Sequence, residues 1–246
     1  MQQKENMRDY NLGFISNDDI YNHVQETVQK YRFKINLTKF SENLIDPIKL
    51  TFDAKVYRKS INSVIENEVL RQIDKSNTNH IGYFHQNIFR YMGNGWEVPA
   101  QGYDVVNPKL SYFVEMKNKH NTMNSSSSQK TYMRMQSTLL SNPDATCLLV
   151  EVISKKSQNV VWKMSLDGQT VSNEKIRRVS IDKFYEFVTG NRFAFKELCE
   201  KLPSIIEDIL ENSDFEAESN SVFSELADID PNLLRSIYLL RECLRS

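Results

Sequence analysis

Cysteine is too scarce and too scattered to organise this chain. Cys147, Cys199 and Cys243 are odd in number, far apart and free of any Cys-x-x-Cys pair. That excludes a disulfide framework and a thiolate zinc site, and points to reduced thiols. No apolar run approaches membrane-spanning length and Met1 is followed by the polar run Gln-Gln-Lys-Glu-Asn, so neither a leader nor a span is expected, and the expected location is the cytoplasm. There is no internal repeat and no long low-complexity linker. No His-Glu-x-x-His accompanies His80 or His85, so both are expected to be structural or partly exposed rather than metal ligands. What the composition does supply is material for a core. Hydrophobic residues at 40% and aromatics at 11% exclude wholesale disorder, and the 246 residues suffice for one elaborated domain.

Strong charge of either sign is also missing. The net value of −1 gives no bulk attraction to nucleic acid, but the charges are unevenly spread. Between Glu115 and Asp144 there is no acid, while Lys117, Lys119, Lys130 and Arg134 all fall there. Acids dominate from residue 197 onward. A basic working surface with an acidic far side is the reading this asymmetry supports.

Periodicity gives an α/β chain with a small mixed sheet. Residues 1–92 read as a helical region. Ser16 or Asn17 caps a helix carrying Ile20, Val24 and Val28, Asp46-Pro47 opens another, Ser60 a longer one, and residues 79–92 one more. Strands are expected at 96–98, 103–106, 113–117, 145–153, near 160–164 and near 176–179, with a helix over 127–140. The core would occupy residues 93–180 and a second helical region 181–246, all within one domain. Ser180 is expected to cap a helix to Phe187, with another over 192–210. Residues 212–222 read as an exposed acidic linker, and Leu233, Ile237, Leu240 and Leu244 as the stripe of a last helix.

The chemistry concentrates in the run from Tyr103 to Arg134. Asn107-Pro108 supplies a turn between two short strands. On the second, alternation sends Tyr112, Val114 and Met116 to one face and Glu115 and Lys117 to the other. A hairpin brings Asp104 beside them. Two carboxylates suit a hard divalent ion such as Mg²⁺, whose shell water and phosphate complete. A lysine there can orient or deprotonate a water and offset charge on phosphorus. Metal-assisted phosphodiester hydrolysis is the chemistry this set can perform. The polar stretch Lys117-Asn-Lys-His-Asn-Thr-Met-Asn124 and the helix after it carry side chains that suit phosphates and base edges. Lys119, His120, Asn121, Thr122, Asn124, Ser127, Lys130 and Arg134 are therefore candidate DNA contacts.

Three segments carry a resemblance. They are His80-Ile-Gly-Tyr-Phe-His-Gln-Asn-Ile-Phe89, Gly95-Trp-Glu-Val-Pro-Ala-Gln-Gly-Tyr-Asp104 and Phe113-Val-Glu-Met-Lys-Asn-Lys-His-Asn-Thr-Met-Asn124. Together, over roughly residues 60 to 140, the chain resembles type II restriction endonucleases of the PD-(D/E)xK superfamily, and most of all the subgroup cutting the palindrome GGNCC. One residue departs from the superfamily's pattern: Tyr103 stands where its name has proline. The resemblance implies a restriction-endonuclease-like α+β core in which Asp104 and Glu115 bind Mg²⁺, with Mn²⁺ able to substitute, and Lys117 is catalytic. The carbonyl of Met116 and the helical Glu68, preferred over Glu66, would complete the metal's protein ligands. It further implies double-stranded DNA as substrate, 5′-phosphate products, a homodimer matched to the palindrome and a cognate DNA methyltransferase as genetic partner. A repair or recombination nuclease of the same superfamily and a non-catalytic DNA binder are the rival readings.

Overall fold

Four alternating stretches of chain build two compact units in this computed structural model, which describes residues 9–43, 45–119, 123–166, 168–213 and 220–237. The first unit comprises residues up to Val28 together with Gly82–Ser213, and the second comprises Gln29–Ile81 and the residues after 213.

The first unit is a mixed sheet sandwiched by helices. Strand β1 (Val105–Asn107) turns back into β2 (Tyr112–Lys119), helix α5 (Ser125–Ser141) crosses over, and β3 (Thr146–Ile153) follows. Strands β4 (Asn159–Val161) and β7 (Ile176–Ser180) complete the order β1-β2-β3-β7-β4. The β1–β2 and β4–β7 pairs are antiparallel, while β2–β3 and β3–β7 are parallel. A separate hairpin joins β5 (Met164–Leu166) to β6 (Gln169–Val171). Strand β3 reads Thr-Cys-Leu-Leu-Val-Glu-Val-Ile and is buried along most of its length, as a central parallel strand covered on both faces must be.

One face of the sheet, through Val114, Met116, Leu148, Val150 and Val179, packs in a core with helices α6 (Ile181–Thr189) and α7 (Ala194–Glu211). Residues of α1 (Asn17–Lys30) and the end of α4 (Ile61–Asn87) join the same core. The other face, through Cys147, Leu149 and Ile176, packs on Tyr132 and Met135 of α5. The second unit holds its own core of Phe40, Leu50, Val64, Ile65, Val69, Val222 and Leu226. To this core α2 (Leu37–Glu42), α3 (Pro47–Val56), α4 and α8 (Val222–Ile229) contribute.

Local rules chose most boundaries correctly. The Asp46 side chain accepts from the Ile48 N–H with Pro47 in the first helical turn, and Ser60 Oγ accepts from the Ser63 N–H ahead of α4. Four expectations need correction. Residues 79–87 continue α4 instead of starting a new helix, because the polar run before them contains no proline and Gly82 is tolerated inside the helix. A 3₁₀ turn, Ile88–Tyr91, follows. Residues 96–98 give only an isolated bridge from Glu97 to Val106. The strand expected near 160–164 divides at the buried Trp162 into β4 and β5, and β6 has no counterpart among the expected strands. Most of the expected linker 212–222 lies outside the described residues, but its last residue is no linker: Val222 is fully buried as the first residue of α8, in the same core as Leu226. Leu240 and Leu244 lie outside the described residues; 233–237 are helical.

His23 and His85 are structural in the first unit. His23 Nε2 lies 2.9 Å from the Phe84 carbonyl oxygen. His85 Nδ1 is sealed from water without a hydrogen-bond partner among the described residues. Burial, with a smaller contribution from neighbouring His23, pushes His85 down to about 4. The folded state thus disfavours the proton that the unfolded chain accepts near 6.5. Stability is complete above that value and falls as pH drops towards 4, by about 2.5 kcal/mol between pH 7.5 and 4.5. Urea unfolding at the two pH values should register that loss, and His85→Phe should shrink it; an unchanged pH dependence in the variant would assign the acid sensitivity elsewhere.

Candidate active site

The β1–β2 hairpin assembles the site. Asp104 sits just ahead of β1 and is drawn onto β2 by two hydrogen bonds. Its own N–H donates to the Val114 carbonyl at 3.0 Å, and its Oδ2 accepts from the Met116 N–H at 2.7 Å. The alternation on β2 is as expected: Val114 and Met116 are buried, and Glu115 and Lys117 project from the opposite face. Lys117 Nζ lies 2.8 Å from Glu115 Oε1. In register, Glu115 neighbours Leu149 and Lys117 neighbours Glu151 on β3, so the charged end of β2 continues an apolar stripe covered by α5.

Helix α5 contributes a cation to the same carboxylate. Arg134 Nη2 pairs with Glu115 Oε2, Nη1 donates to the Gly102 carbonyl at 3.4 Å, and the guanidinium carbon stands 4.4 Å from the centre of the Tyr103 ring. Both oxygens of Glu115 thus face a cation. Only 12% of the Glu115 side chain is exposed, against 30% for Lys117 and 41% for Arg134, so the carboxylate is shielded while its two cations keep contact with water. Asp104 feels the opposite balance. Burial first, and then the charge of Glu115, outweigh the Met116 N–H and the two cations, leaving its carboxyl above the ordinary carboxylate range. A carboxyl raised by burial and by a neighbouring carboxylate sits in a field a cation would relieve.

The donor set fits a hard divalent ion. Among the described residues no group of three or more His, Cys, Asp or Glu side chains is placed to hold a metal. An ion here would therefore rest on two carboxylates and a backbone carbonyl, and Mg²⁺ keeps several waters in such a site. Glu68 lies in the second unit. There its carboxylate accepts from Arg71 Nε and Nη2, each at 2.6 Å, and from Gln72 Nε2 at 3.0 Å. Burial raises its pKa, but these donors prevail and hold it below the ordinary range.

The candidate DNA contacts are distributed around α5. Asn124 is the N-cap of the helix and spends its side-chain oxygen on the Ser127 N–H. Ser127 and Lys130 are exposed on its first turns, and Lys119 is exposed at the end of β2. His120, Asn121 and Thr122 lie outside the described residues. Arg134 faces Glu115, a placement that helix periodicity alone does not reveal. A further pair escapes a reading of the sequence. Glu151, 1% exposed, meets Arg178 of β7, whose Nε donates to Oε1 at 2.7 Å. An acid inside the otherwise apolar run 145–153 is the available signal, because such a carboxylate requires a partner.

With this geometry established, comparison with known proteins decides the family. The Eco47II restriction endonuclease family matches residues 12–211, most of the chain. The chain belongs to that family. The type II restriction enzyme Sau96I of Staphylococcus aureus is 31% identical over 228 residues, covering 87% of each chain. The type II restriction enzyme Eco47II of Escherichia coli is 31% identical over 214 residues, covering 81% of this chain and 88% of its own. This Eco47II-family protein is thus a type II restriction endonuclease, a site-specific deoxyribonuclease acting on double-stranded DNA. Its mixed sheet with flanking helices has the restriction-endonuclease-like α+β form expected from the sequence. No helix among the described residues is long and apolar enough to cross a membrane.

Proposed function

We propose that this endonuclease hydrolyses DNA at the palindrome GGNCC in a Mg²⁺-dependent reaction centred on Asp104, Glu115 and Lys117, leaving 5′-phosphates. The observation that carries the reading is the convergence of two carboxylates and one ammonium on the β1–β2 hairpin. Asp104, Glu115 and the Met116 carbonyl would hold the ion, with Mn²⁺ as a substitute. Glu68 is held by Arg71 and Gln72 in the second unit. A bound ion supplies Lewis acidity to the phosphoryl group and a more acidic water. Lys117 orients that water for in-line attack and offsets the charge that grows on the phosphate as the 3′ oxygen departs. The Met116 N–H fixes Asp104, and the sealed opposite face of β2 keeps the hairpin rigid.

A palindromic substrate carries further consequences. A two-fold homodimer places one active site on each strand, a cognate methyltransferase protects the host sequence, and the cytoplasm is where both meet DNA. Residues 1–246 act as one endonuclease domain. The test is a plasmid carrying one GGNCC site beside a plasmid carrying none. With Mg²⁺ the first should become linear with ligatable 5′-phosphate ends and the second should stay supercoiled; equal cutting of both would reject the sequence assignment. Lys130 is read as a phosphate contact. Lys130→Ala should weaken DNA binding at every sequence and lower the slope of log affinity against log salt by about one. A slope unchanged by fluorescence-anisotropy titration would remove Lys130 from the interface.

A further inference from the structure

Arg134 and Tyr103 form a device that neither the motif nor the proposed reaction accounts for. Tyr103 occupies the position before the first carboxylate and is half-buried. Its ring lies under the Arg134 guanidinium at 4.4 Å and packs against Phe113 at 5.3 Å. Its hydroxyl lies 2.8 Å from Thr138 Oγ1. Thr138 is one helical turn beyond Arg134 and donates to the Arg134 carbonyl at 3.1 Å, which leaves the tyrosine O–H as the donor to Thr138. Ring, hydroxyl and helix turn together aim one cation at Glu115 Oε2. A cation resting on a π face stays at the site when its ionic partner changes.

The charges give this arrangement a purpose. Asp104 and Glu115 are balanced by Lys117 and Arg134, so the four groups sum to neutrality. A divalent ion sharing Glu115 would face the guanidinium at short range. We propose that Arg134, steadied on Tyr103, is the resident counter-cation of Glu115, which it yields when a divalent ion binds, turning to the phosphate being cut. The proposal rests on the endonuclease reading above. It also explains the tyrosine that stands in place of the superfamily's proline, as the platform on which the arginine pivots.

Mn²⁺ binding to the full-length protein without DNA, followed by electron paramagnetic resonance, separates this role from a structural one. Arg134→Gln removes a competitor and should bind Mn²⁺ about tenfold more tightly than the parent. Single-turnover cleavage by the same variant should be about a hundredfold slower. Tyr103→Leu should move both quantities in the same directions by less, and Tyr103→Phe, which keeps the ring but loses the hydrogen bond to Thr138, by less again. If Arg134→Gln folds poorly, the Tyr103→Leu pair of readings decides. Unchanged or weaker Mn²⁺ binding, or cleavage within about threefold of the parent, overturns the proposal. Asp104→Asn separates the two levels of inference. If it neither binds Mn²⁺ nor cleaves, the active-site reading stands whatever Arg134 does. If it does both like the parent, that reading falls, and the Arg134 proposal falls with it.

Discussion

Asparagine in place of Asp104 is expected to abolish cleavage without weakening the fold. The side chain is held above the ordinary carboxylate range, first by burial and then by Glu115, so its charge is kept at a cost to the folded state. Asparagine keeps an oxygen for the Met116 N–H, now 2.7 Å from Oδ2, while the repulsion disappears. The melting temperature should stay level or rise, and cleavage should fall by about three orders of magnitude. Glu115→Gln should match it in activity. Lys117→Ala should lose a similar factor, because no other amine stands 2.8 Å from Glu115 Oε1 among the described residues. Activity assays read beside thermal melts check the pairing. A variant that loses activity only by unfolding would contradict it, and parental activity in Lys117→Ala would sink the mechanism.

Arg178→Met should produce the largest loss of stability from a single polar side chain. Glu151 is 1% exposed and sits mid-sheet on β3, paired to Arg178. Ser154 Oγ adds a long hydrogen bond at 3.4 Å. Truncating the arginine takes the paired cation away from a buried carboxylate, which costs about 3–5 kcal/mol and should lower the melting temperature by about 10 °C. Replacing both partners is different in kind. Glu151→Leu combined with Arg178→Met restores an apolar neighbourhood beside Leu149, and stability should return to within about 1–2 kcal/mol of the parent. A double variant no better than Arg178→Met alone would show that the pair is not the source of the loss.

Much of this architecture is legible in the residues themselves. The two-residue alternation from Tyr112 to Lys117 separates buried from chemical faces correctly, since strand geometry leaves a one-residue pattern no other outcome. Capping at Asp46 and Ser60 is readable because short polar side chains satisfy free N–H groups locally. What escapes depends on partners distant in sequence. Periodicity places Arg134 on α5 but does not say that the helix crosses to present it to Glu115. Glu151 and Arg178 find each other only through the β3–β7 register. Trp162 looks like part of one strand because its burial comes from α5 through Tyr132, with which it packs at 5.2 Å. Val222 reads as linker because Asn220 and Ser221 before it are polar, and only the second unit's core shows what it packs against.

Digestion of unmethylated phage DNA with the purified protein and Mg²⁺, followed by sequencing of the fragment ends, bears on sequence specificity and chemistry at once. Discrete fragments are expected, with ends that share one short palindrome and carry 5′-phosphates, and with no cutting by Lys117→Ala. A smear whose ends share no motif, or DNA left uncut with Mg²⁺ and with Mn²⁺, would contradict a metal-dependent, sequence-specific reaction on the β1–β2 hairpin.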